Sequence, residues 1–151
     1  MDFKLHKYKF KTDKATSQRM SHVPSKRGKD ENILALALWH SGIRYRRNYK
    51  KLPGKPDIAI TKYKIAIFVD GEFWHGYDWK HYKKHLKRNR EYWIHKIEYN
   101  MRRDQENDQK LKEMGWTPMH FWAKLVLKHT NYCVELIKFK INSKLNDQNK
   151  T

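Results

Sequence analysis

A chain of 151 residues has the length of one domain with a single buried core. Its 34 Lys and Arg against 16 Asp and Glu leave a formal net charge of +18, an excess that calls for an anionic partner, nucleic acid before a membrane surface. No stretch approaches the ~20 apolar residues of a spanning helix. The amino-terminal MDFKLHKYKFK lacks the apolar core of a secretory signal, and the single cysteine, Cys133, excludes an internal disulfide or a cysteine-based zinc cluster, so a cytoplasmic protein is expected.

In chain order, residues 1–29 are polar and basic and read as a flexible arm, with a short helix around Thr12 to Met20. Asp30 to Ser41 reads as a helix: Ile33, Leu34, Ala37 and Leu38 fall at helical spacing, Asp30 and Glu31 lie in the first turn where negative charge suits the helix dipole, and Gly42 stops it. Ile43 to Tyr49, IRYRRNY, alternates and predicts a strand. Ile58 to Thr61 and Lys64 to Val69 predict a tight hairpin. Alternation puts Ala66, Phe68 and Asp70 on one face and Ile65, Ile67 and Val69 on the other. The second strand is so apolar that it should be central. Gly76 to Asn89 reads as a basic, aromatic loop or irregular helix, and Arg90 to Met114 as one long helix with Trp93, Ile97 and Met101 on a stripe. Trp116 to Trp122 predicts a strand whose Pro118 marks an edge or a bulge. Tyr132 to Lys144 predicts a closing helix, followed by a frayed tail at 146–151. The order predicts an α/β architecture, a mixed central sheet flanked by helices, with the main domain over 30–145.

The chemistry concentrates in residues 52–75, LPGKPDIAITKYKIAIFVDGEFWH. Asp57 begins one hairpin strand and Asp70 ends the other, and in an antiparallel pair those two tips are neighbours. Two carboxylates at adjacent tips suit a hard Mg²⁺ ion, which takes oxygen ligands and keeps several waters. In so basic a chain, a site of this kind points to phosphodiester hydrolysis, where a cation neutralises developing charge and a water is deprotonated in line. Six Trp and nine Tyr interleaved with Lys and Arg suit stacking on bases beside phosphate contacts.

Pro56-Asp57 followed a strand later by an acid resembles the PD-(D/E)xK nuclease pattern, although Glu72 stands where the usual lysine would be. A longer series is more specific: Lys14-Ala15-Thr16 with Met20, Glu31 at a helix start, Leu52-Pro53-Gly54-Lys55-Pro56-Asp57, Phe68 to His75, Trp93 with Lys96-Ile97 and Asn100, Arg103-Asp104, and Gly115-Trp116 with Phe121-Trp122. Over roughly residues 12–125 the chain resembles the very-short-patch repair (Vsr-like) endonucleases, which nick DNA at T:G mismatches.

That resemblance implies a restriction-endonuclease-like core, Mg²⁺ (one or two ions), and double-stranded DNA with a T:G mismatch as substrate. The setting it implies is a bacterial or archaeal cytoplasm, with mismatch-repair proteins as candidate partners. Asp57 matches the family's metal-binding aspartate, and Val69 the position that lends a main-chain carbonyl to the metal. Asp70 stands where the best-known members have a histidine and is read as a second metal-shell or water-positioning group. His75 matches the histidine that orients or deprotonates the attacking water, and Glu31 its acidic helper. Phe73, Trp74 and Trp93 match aromatics wedged into the base stack, and Met20 an arm residue approaching from the other groove. Such a wedge costs a few kcal/mol of unstacking, least at a mismatched step. Phe73 and Trp74 read alternatively as core residues beyond a strand, Trp93 as part of its helix stripe.

Zinc-bearing members use Cys and His ligands where this chain has Glu72, Tyr77, Trp79 and Lys124. No structural zinc is therefore expected, and packing of Tyr77 and Trp79 is expected to hold the 71–90 segment instead. His81, His85 and His95 are expected to face solvent or phosphate. A monomer is the default. Two alternatives stay open: a restriction-type or structure-selective nuclease without T:G preference, and a DNA-binding module with a decayed active site.

Overall fold

The structure, a computed structural model, describes residues 28–149, with side chains to residue 147. The expected amino-terminal arm helix and Met20 lie outside the described residues. The first helix, α1 (Lys29–His40), carries Asp30 and Glu31 in its first turn. It buries Leu34, Ala35 and Leu38 and stops where Gly42, at φ +85, turns the chain back.

The expected seven-residue strand after it forms a ladder only over β1 (Arg46–Arg47). Asn48 adopts φ +49 and breaks the pleat. Pairing nevertheless continues irregularly, with Asn48 N–H donating to Asp57 O at 2.9 Å and Tyr49 N–H to Pro56 O at 3.0 Å. These two bonds fix the main chain at Asp57.

β2 (Ile58–Ile60) and β3 (Ile65–Asp70) form the expected antiparallel hairpin, with Ile58 opposite Ile67 and Ile60 opposite Ile65. All six residues of β3 are buried because it lies between β2 and β4 (Thr117–Trp122) in the sheet order β1-β2-β3-β4. β4 runs parallel to β3, with Phe68 beside His120 and Asp70 beside Trp122. It is the sheet edge, where Pro118 is tolerated.

Between β3 and β4 come α2 (Trp79–His85) and the long α3 (Arg90–Glu113). After β4, a short helix not anticipated from sequence, α4 (Ala123–Lys128), precedes α5 (Thr130–Asn149). α5 starts earlier and ends later than its apolar residues suggest. Its Cys133, Val134, Ile137 and Ile141 are buried.

The sheet is covered unequally, and this positions the site. On one face Ile65, Ile67 and Val69 join Leu34, Leu38, Val126, Cys133 and Ile137 in the main core, under α1, α4 and α5. Truncating one of these large residues to alanine costs roughly 2–5 kcal/mol. On the other face Ala66 and Phe68 form a small cluster with Leu52 and Leu111, with Tyr49 and Trp116 packed alongside. Asp70 belongs to this thinner face by alternation. Beyond Phe68 the apolar cover ends, and the carboxyl end of β3 opens into a cleft. The result is a mixed α/β fold, a four-stranded sheet between helices, as a restriction-endonuclease-like core requires.

Candidate active site

The cleft has a volume of about 900 Å³. Glu31, Asp57, Val69, Asp70, Trp74 and His75 all line it, so the residues singled out from sequence between positions 31 and 75 are brought together, except Phe73. The hairpin delivers Asp57 and Asp70 to adjacent tips. Asp57 Oδ2 accepts the Val69 N–H at 2.7 Å, tying the start of β2 to the end of β3. Asp70 is 7% exposed and Glu31 8%.

Glu31, Asp57 and Asp70 thus share one pocket, and the cost is visible in the protonation of Asp57. Burial, helped by the nearby Glu31 and Asp70, pushes the Asp57 carboxyl up to about 7 against the opposing Val69 hydrogen bond. Glu31 also lies 3.8 Å from the Arg47 guanidinium. A divalent cation would relieve the repulsion among these carboxylates, so the residues present fit one. Among the described residues no group of three or more His, Cys, Asp or Glu side chains could hold a metal ion by itself. Two carboxylates with waters completing the shell is the ordinary arrangement for Mg²⁺.

The carboxylate on the His75 ring is Asp104, a partner that sequence reasoning did not assign. His75 Nδ1 lies 2.5 Å from Asp104 Oδ2, and His75 Nε2 lies 3.9 Å from Asp70 Oδ1. Burial pulls the His75 imidazole down, but the Asp104 bond and the charges of Asp70 and Asp104 outweigh it, so the net shift is upward. Glu31, expected to serve His75, lies beside Asp57 and Arg47.

α3 docks the residues after β3 in turn. Its buried Asn100 donates from Nδ2 to Trp74 O at 3.0 Å, and Asp104 takes His75. Gly76, at φ +77, lies so close to Met101 that an added Cβ would be 2.4 Å from Sδ. Further along the same helix, Asp108 holds His120 of β4, whose Nε2 is 2.8 Å from both Asp108 oxygens and whose Nδ1 is 2.7 Å from Asp70 Oδ2. His120 too carried no role in the sequence reading. Asn100, Asp104 and Asp108, spaced by four, form a polar stripe on α3, of which Asp104 and Asp108 line the cleft, and that periodicity was the available signal.

Phe73, Trp74 and Trp93 form one aromatic group, each ring edge-on to the other two at centroid distances of 5.3–5.5 Å. None of them belongs to either core cluster, and Phe73 is 41% exposed. The alternative reading of Phe73 and Trp74 as core residues is therefore set aside. In the following segment Tyr77 lies edge-on to Trp122 at 5.1 Å, and Trp79 Nε1 donates to Glu98 at 2.9 Å. Glu72 accepts the Lys124 main-chain N–H at 2.8 Å. His81, His85 and His95 are exposed.

No helix among the described residues is long and apolar enough to cross a membrane. The sequence matches the family model described as DNA mismatch endonuclease Vsr over residues 2–81, more than half of the chain. It is 48% identical over 125 residues to the type II nicking enzyme V.NmeDIP of Neisseria meningitidis serogroup C, covering 83% of this chain and 84% of that one. It is 50% identical over 101 residues to the type II nicking enzyme V.HpaIIP of Haemophilus parainfluenzae, covering 67% and 72%. With the DNA mismatch endonuclease Vsr of Escherichia coli K12 it shares 34% identity over 111 residues, covering 73% and 70%.

Proposed function

The chain belongs to the Vsr family of DNA mismatch endonucleases and is a DNA endonuclease, and from that premise we propose that it nicks one strand of duplex DNA beside the thymine of a T:G mismatch, with Mg²⁺ as cofactor, in very-short-patch repair. The observation that carries this reading is the continuity of residues 73–75. The ring pair Phe73-Trp74 runs directly into His75, and α3 anchors both Trp74 and His75, through Asn100 and Asp104. Insertion into a weakened base step and activation of water at the neighbouring phosphate are then two ends of one short, fixed segment.

Asp57 and Asp70 would hold the metal, with the Val69 carbonyl as a third oxygen. Bound there, it would neutralise charge developing on the scissile phosphate. Asp104 accepts the Nδ1 proton of His75 and leaves Nε2 as the basic nitrogen on the Asp70 side of the ring. His75 takes the proton of the attacking water through Nε2. Arg103 and Lys55 line the cleft and suit the phosphates flanking the cut. Phe73, Trp74 and Trp93 enter the stack from one groove while Met20, on the basic arm, approaches from the other. The enzyme works as a monomer on DNA, and mismatch-repair proteins are its candidate partners.

The test incubates protein and Mg²⁺ with labelled duplexes carrying T:G, each other mismatch, or none. Nicking confined to T:G supports the proposal. Equal cutting of matched duplex overturns it in favour of a restriction-type nuclease, and binding without cutting in favour of a decayed site.

A further inference from the structure

The two oxygens of the buried Asp70 carboxylate face different imidazoles. Oδ2 is bonded to His120 Nδ1 at 2.7 Å, and Oδ1 faces His75 Nε2 at 3.9 Å. His120 is itself fixed from three elements. It stands on β4, its ring stacks on Phe68 of β3 at 4.7 Å with planes 10° apart, and its Nε2 is gripped by both oxygens of Asp108 on α3. The side chains therefore run in one line, Asp108, His120, Asp70, His75, Asp104. Each carboxylate at an end of that line holds the ring nitrogen that points away from Asp70.

A lone aspartate at a strand end rotates about χ2 at little cost, because that torsion is broad and roughly two-fold. Here one oxygen is pinned by a charge-assisted bond to a ring that is stacked and bonded at its far side. The other oxygen is then presented to the cleft in one orientation.

Resting on the cleavage reading given above, we propose that His120, braced by Asp108, is a positioning residue of the active site: it binds one oxygen of Asp70 and so aims the other at the space shared with His75. His120 touches neither DNA nor the attacking water in this role. It acts through Asp70, which contributes a single oxygen to the cleft.

The experiment compares His120→Leu, His120→Asn, Asp70→Asn and the double variant with wild type. Single-turnover cleavage of a T:G duplex is measured with Mg²⁺, and the Kd for the same duplex in EDTA. The imidazole NMR signals of His75 are recorded in DNA-free, metal-free protein. His120→Leu should lower the cleavage rate at least tenfold with Kd within twofold of wild type, and should shift the His75 signals. His120→Asn should recover most of the rate, because an amide Nδ2 reaches Asp70 from the same branch point as the imidazole Nδ1. In the Asp70→Asn background His120→Leu should cost little more, as expected for residues acting as one unit. Wild-type cleavage by His120→Leu, multiplying losses in the double variant, or unmoved His75 signals would each overturn the proposal. Should His120→Leu fail to melt cooperatively, His120→Asn and Asp108→Asn carry the same comparison: loss of cleavage and shifted His75 signals in Asp108→Asn, milder in His120→Asn, support it, and wild-type behaviour of both overturns it. If wild-type protein nicks no duplex, the cleavage reading fails, and the His75 signals still decide whether His120 acts through Asp70.

Discussion

His75 Nδ1 and Asp104 Oδ2 lie 2.5 Å apart across 29 positions of sequence. A contact this short between imidazole and carboxylate is charge-assisted. In the proposed mechanism it sets which nitrogen of His75 carries the proton and leaves the other to act as the base. Asp104→Asn keeps the size and removes the charge. Loss of a partner that orients a working histidine costs roughly 10–100-fold, so cleavage should fall by that factor while DNA affinity holds. His75→Ala should cost more, within the roughly 10²–10⁴-fold range of general-base catalysis. An Asp104→Asn enzyme that cuts at the wild-type rate would remove Asp104 from this role.

Asp57 predicts a pH signature in the metal-free protein. Its carboxyl is raised to about 7 in the folded chain against an ordinary value of 3.8. Below pH 3.8 both states hold the proton. Between 3.8 and 7 the unfolded chain has released it and the folded chain has not, so stability falls as pH rises through that window and levels off above it. At about 1.4 kcal/mol per pKa unit the total is a few kcal/mol. The unfolding free energy of wild type relative to Asp57→Asn should therefore decline from pH 4 to 7. At pH 8, added Mg²⁺ should raise the wild-type Tm and leave Asp57→Asn unchanged. A pH-independent difference would refute this account of Asp57.

The aromatic group should govern discrimination and not chemistry. Stacking of a base on an aromatic ring is worth about 1–3 kcal/mol, which is roughly 5- to 150-fold. Trp74→Ala and Phe73→Ala should lower the ratio of T:G to matched-duplex cleavage within that range. An unchanged ratio in both variants would contradict insertion of these rings.

Gly76 should resist substitution. A side chain at φ +77 costs about 1–2 kcal/mol, and its Cβ would collide with Met101 Sδ. Gly76→Ala should lower Tm by at least ~2–4 °C and slow cleavage by displacing His75. Adding Met101→Ala should return part of the lost cleavage. No loss in Gly76→Ala would show that the close approach on α3 is dispensable.

The hairpin and its two acids were legible because β-strand alternation and apolar runs are local signals, and the register places both tips together. His75 and the ring group were legible as a motif. The rest depended on tertiary contact. Asp104 and Asp108 are ordinary charged residues of a long amphipathic helix until that helix is laid along the strand ends, and His120 sits in a strand whose facing is set only by its parallel partner. Glu31 is legible at a helix start, yet its neighbour, Asp57, stands just before β2, which only folding brings near. The shortened β1 follows from Asn48 adopting a positive φ, which alternation does not signal. The α4 helix, six residues long, is too short for periodicity to reveal.

In the proposed mechanism Asp57 and His75 cut where Phe73 and Trp74 open the stack, and mapping the product ends of a duplex with a single T:G pair probes this. One nick is expected, in the thymine strand beside the mismatch, leaving a 5′-phosphate, present with Mg²⁺ and lost in EDTA and in Asp57→Ala. Nicks scattered along the duplex, or a normal nick made by Asp57→Ala, would contradict it.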